Sequence, residues 1–567
     1  MFRGQHPRGD SRSALISGLS ARPAGASIHD VNTAMARSGN AFRWVLFFLA
    51  ATAGARTVFV SPALPAPVRE AAAAAILSSF PEAIVSESPI GAELRIIEGS
   101  ESFGGTEIGA YRYVLVAPFP ERSDGLGAEE WTALLAGPPG PGSSRALLAD
   151  EETARGLSRL IGERGFEAIR IVPSEDLLGV CWKTPGALAI IPFERLEPRW
   201  KILSIAGKHP LDAKAGMAEY PLTLRVVAAG DASMADGLKA AAGASIGNFD
   251  PERLTSVTMT GVTALARVTA RRMDQRGIKY PGLRVAALLS AADFTHVSSE
   301  VSFVPGCEIK TTPDTILLCS RPEYAGLLEY LGVDLVELTG NHLLDFGEAA
   351  FLGTLKAYDS RGMRYCGAGG NAAEAARPAI VEHNGNRIAF LGACAGPSPR
   401  YAGEKRAGPL LFDQAAMEER IRNARAEGLV PVVCIQYYEE YRYDPTPAQR
   451  KAFRALVGAG AAIVQGSQAH QPQAFEFYGG GFIHYGLGNI FFDQMWSLGT
   501  RESLIDTHWF YGGKHVSTVV RTALIEDFAQ PRLTEGAERK DLLDKVFAPS
   551  LVDGEPFPPP EKPNAKR

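Results

Sequence analysis

Runs of Lys and Arg interleaved with aromatic residues are missing from this chain, and a formal net charge of −5 over 567 residues leaves no cationic track for a phosphate backbone. Nucleic acid is thereby excluded as a partner. Cysteine is scarce as well: six residues are too few to staple a fold of this length. Cys307 and Cys319 flank a Pro-containing loop and are the expected bridge, with two buried free thiols as the equal alternative. Cys181, Cys366, Cys394 and Cys434 lie in apolar, element-like contexts and read as core. No internal repeat is present, which excludes solenoids and arrays. What the chain does have is ordinary: 46% apolar and 21% charged residues describe a soluble globular protein, long enough for two units with their own cores.

The apolar run Trp44 to Ala53 is about 10 residues long, short of the ~20 that span a bilayer. It follows Arg43 and precedes Ala53-Gly54-Ala55, an A-x-A cleavage pattern, so residues 1–56 are read as a signal segment. Export to an extracytoplasmic place, periplasmic or bound to the cell envelope, is the expectation, with membrane association if the segment stays uncleaved. Met35 to Arg43 makes a basic leader by itself, so the start is Met1 or Met35.

An α/β domain is expected over residues 57–215, opening with the strand Thr57-Val-Phe-Val and an Ala-rich helix from Val68 to Phe80, with Tyr113 to Pro118 as another buried strand. The helix around Trp131, the helix from Thr153 to Gly165, the strand at Ala187 and the segment Pro198-Arg-Trp-Lys-Ile-Leu resemble part of a type-two periplasmic solute-binding domain; a plain packing domain is the alternative. Residues 216–530 repeat strand, polar loop, helix. Leu283 to Leu289, Val333 to Leu338, Arg387 to Gly392, Val430 to Ile435 and Ala462 to Gln465 are the expected strands. Residues 531–567 read as a C-terminal extension with a solvated Pro-rich tail. In such folds ligands bind beyond the carboxyl ends of the strands.

Six polar endings occur in order: Gly230-Asp231; Ser298-Ser-Glu300; Thr339-Gly-Asn341-His342 followed by Asp345-Phe-Gly347; Gln436-Tyr-Tyr438-Glu-Glu440 followed by Pro445; Gly466-Ser-Gln468-Ala-His470; and Gly486-Leu-Gly-Asn489. Singly each is a common turn or cap. In this order they resemble the blocks of the poly-γ-glutamate capsule synthesis (CapA-like) family, a branch of the metallophosphatase superfamily, and Cys366-Gly-Ala-Gly followed by Glu374-Ala agrees. The resemblance implies a calcineurin-like four-layer α/β sandwich and a divalent cation, Mg, Mn, Ca or Zn, held by Asp231, Glu300, Asn341 and His470. It also implies His342 as general acid oriented by Asp345 and Glu440 as an acid near the substrate; Gln436, Gln468, Tyr438 and Asn489 are the expected substrate-binding residues, their amides and ring suiting a polar substrate.

Gln436 and Gln468 stand where the family has His, Ser298 where it has Asn, and Gly486 where it has Ser. Amide oxygens are weaker donors than imidazole, so the set points to one ion or none. Two readings follow. One is a metal-dependent hydrolase or transferase acting on an anionic envelope polymer such as poly-γ-glutamate, or on its precursor. The other is a non-catalytic protein that binds envelope glycan or peptide, for which the aromatic residues around Tyr438 and Trp496 would serve as stacking surfaces. A third, a solute-binding sensor, would place the work in the first domain.

Overall fold

The computed structural model describes residues 56–99, 104–136, 145–212, 220–242, 246–312, 316–398 and 400–558. The expected signal segment and the end of the tail lie outside these residues. Arg56 to Arg567 form one compact unit.

The first sheet has nine strands. Its order is Ile84–Ser86, Thr57–Val60, Leu94–Gly99, Thr223–Gly230, Thr106–Pro118, Leu188–Pro192, Leu147–Ala149 and Ile169–Ile171, with Trp200–Ile202 also paired to Thr106–Pro118. Thr223–Gly230 is a correction to the expected boundary at 215. It runs antiparallel between two strands of the first sheet, and the helix Ala232–Ala242 packs on that sheet too. Asn248 still bonds the backbone of Arg112 through its amide, 2.7 and 2.9 Å, so the first unit extends to about that residue.

Two eight-stranded sheets follow. One reads Arg364–Cys366, Val333–Glu337, Phe294–Ser299, Leu254–Thr263, Glu502–Tyr511, Lys514–Glu526 and Gln530–Leu533, with Asn489–Phe491 beside Leu254–Thr263. The other reads Ala379–His383, Asn386–Cys394, Val430–Gln436, Ile463–Ser467, Gly481–His484, Phe475–Tyr478, Leu551–Val552 and Glu555–Pro556. They share one buried layer, in which Val257, Met259 and Leu335 meet Phe390, Val432, Ile463 and Phe482. Outside the first of the two, Ala270, Met273, Phe351 and Leu355 of covering helices complete a second layer. Outside the other, Met417, Ile421, Phe453 and Leu456 do the same. The helices begin where the sequence caps them: Asp413 accepts from Ala416 N, and Thr446, before Pro447, accepts from Gln449 N.

Leu283 to Leu289 is not a strand; Ala286–Leu289 is a short helix, and the strand in this part of the sheet is Leu254–Thr263. The expected extension after 530 is also not peripheral. Gln530–Leu533 is an edge strand, and Leu542, Leu543, Val546 and Phe547 of the helix Gly536–Phe547 enter the layer between the sheets.

The strands Leu254–Thr263, Phe294–Ser299 and Val333–Glu337 run parallel in one sheet. Asn386–Cys394, Val430–Gln436 and Ile463–Ser467 do so in the other. The loops after these strands therefore gather at one end of the layered unit, and that is where most of the polar blocks meet.

Candidate functional site

Glu300 leaves the Phe294–Ser299 strand with its backbone N–H on Thr263 O, 3.0 Å, and its side chain is buried with neither carboxylate oxygen hydrogen-bonded. Val301 bridges to His342, which brings the Asn341-His342 loop alongside. Only glycine fits at 340: a Cβ there would lie 2.6 Å from Glu300 Cα. Two blocks distant in sequence are thus pressed together at the backbone.

His470 faces Glu300 from the second sheet, with Nε2 4.0 Å from Glu300 Oε1 and 3.6 Å from Glu439 Oε1. Its other nitrogen settles the tautomer. Asn489 donates its amide N–H groups to His470 O, Gln494 Oε1 and Thr500 O, so its Oδ1 is the acceptor at 2.9 Å and His470 Nδ1 carries the hydrogen. In the neutral ring Nε2 then presents a lone pair to two carboxylates. Asn489, expected among the substrate-binding residues, is instead fully buried and bonded internally, and it orients this imidazole.

Asn341, Gln436 and Gln468 form the other half. Asn341 Oδ1 accepts from Gln436 Nε2, 3.2 Å, and from Gln468 Nε2, 3.4 Å, while Gln436 Nε2 also donates to Gln468 Oε1 and Gln436 Oε1 accepts from the Cys394 thiol, 3.3 Å. The three amides satisfy one another. The expected role of Asn341 as a metal ligand does not fit this geometry, because its oxygen already takes two donors.

His342 and Asp345 pair as expected, Nδ1 to Oδ2 at 2.7 Å, and the same oxygen accepts from Leu318 N, 2.7 Å. Leu318 adjoins the disulfide that joins Cys307 and Cys319, Cα atoms 6.1 Å apart, so the bridge holds the loop that holds Asp345. The other four cysteines are buried and free. Burial works against charge on His342, but the hydrogen bond it donates to Asp345 and the charge of Glu300 outweigh it and raise its pKa above the usual histidine value.

Asp231 is not at this site. It follows the inner strand Thr223–Gly230 of the first sheet, its backbone N–H on Glu93 O at 2.9 Å, and its carboxylate accepts from Met234 N, 2.8 Å, as a helix cap. Gly230 is required there because a Cβ would lie 2.1 Å from Glu93 O. The strand that enters the site beside Glu300 is Leu254–Thr263, ending Gly261-Val262-Thr263, with Val262 paired to Ser298 on one side and Asn489 on the other. A buried valine thus stands where the first carboxylate was expected.

Glu439, rather than Glu440, is the loop acid against His470. Tyr441 stacks on the His470 ring, centroids 5.9 Å apart, donates to Glu439 Oε1 at 2.5 Å, and meets Trp496 edge-on. Tyr438 is exposed and packs edge-on against Tyr437, at the rim of the site and outside its bonding network. Arg267, which the sequence reading passed over, is bound by Asp493 (Nε to Oδ1, 3.0 Å) and lies over Phe492, which itself packs on His470. Non-glycine residues with positive φ concentrate here: Arg267 at 46°, Tyr441 at 45°, Gln468 at 79° and His470 at 51°. Strain of this kind, roughly 1–3 kcal/mol per residue, marks a place where geometry outranks local preference.

Residues 225–494 match the family described as bacterial capsule synthesis protein PGA_cap. Two relatives are the capsule biosynthesis protein CapA of Bacillus anthracis, 27% identical over 51% of this chain and 72% of that protein, and the PGA biosynthesis protein CapA of Bacillus subtilis, 25% identical over 53% and 80%. Among solved structures, an ABC-type phosphate transport receptor from Vibrio cholerae is matched over 33% of this chain and 92% of that one, with 12% identity and a TM-score of 0.27. A Staphylococcus aureus protein assigned as a 5'-nucleotidase is matched over 51% and 57%, with 10% identity and a TM-score of 0.30. At these scores the two structural likenesses decide nothing.

Proposed function

We propose, from the premise that this chain belongs through residues 225–494 to the bacterial capsule synthesis (PGA_cap) family, that it acts in the synthesis, attachment or export of an anionic envelope polymer such as poly-γ-glutamate. The two facing sheets with helices outside are then the four-layer sandwich of calcineurin-like metallophosphatases. On this reading residues 1–56 act as an export signal and the protein works outside the cytoplasm, in the periplasm or at the cell envelope; among the described residues no helix is long and apolar enough to cross a membrane.

One observation carries the chemical reading: the buried, unpartnered Glu300 carboxylate opposite the bare Nε2 of His470, with Glu439 beside it. A buried carboxylate without donors is costly unless a cation or a donor completes it. Glu300, His470 and Glu439 suit a single divalent ion. A second ion does not fit, because Val262 is apolar and the three amides are already mutually bonded. When bound, such an ion polarises a carbonyl or phosphoryl oxygen.

The protein's own share of the chemistry rests with His342. Asp345 occupies its Nδ1 and leaves Nε2 as the nitrogen that hands a proton to a departing oxygen or nitrogen. Tyr438, Tyr441 and Trp496 line the exposed rim and receive the polymer by stacking and apolar contact. Complementation of a deletion strain tests this reading. Glu300→Gln and His342→Asn are expected to lower envelope-bound polymer at least tenfold at equal protein level, and undiminished polymer with both would overturn it.

The second reading, a polymer-binding protein without catalysis, is favoured by the self-satisfied amides and by Val262. It predicts that Trp496→Ala with Tyr441→Ala abolishes polymer retention while His342→Asn does not.

A further inference from the structure

We propose a second metal site, closed and structural, formed by His296, Glu337, Cys434 and Cys366 between the two facing sheets, for a borderline-soft divalent ion such as zinc. It goes beyond the reading of the Glu300 site and uses none of its residues.

His296 Nε2 lies 3.6 Å from Glu337 Oε2 and 3.8 Å from Cys434 Sγ, and ligand atoms of the three residues all lie within 4.8 Å of one another. A tetrahedral zinc site with bonds of about 2.0–2.3 Å has ligand-to-ligand edges of roughly 3.3–3.8 Å. The spacing therefore needs little movement to close on an ion. Cys366 lies in the same buried layer as Cys434 and would supply the fourth donor. Cys366 pairs in register with Glu337 on the neighbouring strand, and Cys434 comes from the opposite sheet, so the four ligands would clamp the two sheets together.

The polar atoms themselves point to a missing partner. Glu337 is completely buried; Thr339 and Ser467 hydroxyls donate to its Oε1 and Ser298 lies beside it on the neighbouring strand, while Oε2, turned to His296, has no partner at hydrogen-bond geometry. A half-satisfied carboxylate against an imidazole and two thiols makes little sense in an apolar layer, and good sense as a ligand whose outer oxygen is held in place. All four side chains are buried, which leaves no open position for substrate and assigns the site to structure rather than catalysis. Two sulfurs, one nitrogen and one oxygen select zinc over magnesium or calcium.

The test uses the full-length chain, expressed with added zinc and purified without chelator, and reads metal by elemental analysis. About one zinc per chain is expected, kept by the double variant Glu300→Gln/His470→Asn and lost in Cys434→Ser. Cobalt-loaded protein should show a thiolate-to-metal charge-transfer band in the wild type and in the Glu300 double variant, and none in Cys434→Ser. Should Cys434→Ser fail to fold, Cys366→Ser serves for the same two readings. The proposal is overturned by zinc that survives both cysteine substitutions in the Glu300→Gln/His470→Asn background, by a freshly purified protein with no zinc, or by a Cys366–Cys434 disulfide found by mass spectrometry.

Discussion

The two halves of the site differ in whether their polar groups find partners within the protein. Around Asn341, every amide finds another, and three side chains share hydrogen bonds. Around Glu300 the carboxylate is left without a partner: both its oxygens lack donors, and the tautomer of His470 fixed by Asn489 turns a lone pair toward them. Replacing imidazole by a glutamine amide changes a pure acceptor into a group with both donor and acceptor, and such groups can close on themselves. Keeping carboxylate and imidazole does not allow that, so this half still requires a partner.

The sharpest way to break the comparison is Glu300→Gln. On function, a loss of about 10³-fold in polymer formation is expected if Glu300 holds an ion or a reacting group. On stability the sign reverses: in chelator-treated protein the amide variant should be more stable by about 1–3 kcal/mol, because an unpartnered buried charge is removed. Denaturant unfolding with and without chelator reads both. A variant less stable than wild type in chelator would show that the Glu300 half is satisfied after all.

Next in size is His342→Asn, for which a loss of about 10²-fold is expected from general-acid catalysis. The pH dependence gives an independent reading. His342 has a folded pKa raised by Asp345 and Glu300 against the opposing effect of burial, so the stability from this pairing is fully present below the unfolded histidine value of ~6.5 and is lost as pH rises through the raised folded value. Asp345→Asn should remove that alkaline slope from a plot of unfolding free energy against pH. An unchanged slope would mean that His342 is not the group responsible.

Much of this site was legible in the sequence, and the failures have physical causes. Glu300, His342, Asp345 and His470 were singled out because the order of their blocks resembles that of the capsule synthesis family; as strand ends alone, each reads as a common turn or cap. The Cys307–Cys319 bridge was legible from its loop. The Leu254–Thr263 strand was missed because Thr and Ser alternate through it with Val and Met, and its hydroxyls are spent internally: Thr255 on His383 O, Thr258 with Thr507, Thr260 on His296 O. That strand carries Val262, so the loss of the first carboxylate went unseen, and Gly230-Asp231 was read in its place. Gly-Asp after a strand serves equally as a close approach with a cap and as a ligand turn, and only the sheet to which the strand belongs separates the two. Glu439 and Glu440 are neighbours in a loop whose facing is set by Tyr441 at φ 45°, which no periodicity predicts.

Among the smaller effects, Gln436→Ala should cost about 1–3 kcal/mol, because the Gln468 oxygen loses its short-range donor and Asn341 one of its two. Ion content should stay unchanged in that variant, since the amide half binds none. Loss of an ion with Gln436→Ala would merge the two halves into one cation site.

Asp231→Ala is the smallest change and separates the sequence pattern from the folded site. Its carboxylate caps the helix Ala232–Ala242 through Met234 N, so a loss of about 1 kcal/mol in unfolding free energy is expected, within the range for removing an N-cap. Ion content and polymer formation should match wild type, because Asp231 lies on the first sheet beside Glu93 and Glu300 on another. Elemental analysis of Asp231→Ala next to Glu300→Gln decides it. If Asp231→Ala loses an ion that Glu300→Gln keeps, the cation belongs to the first domain, and the Glu300 half must be completed by substrate alone.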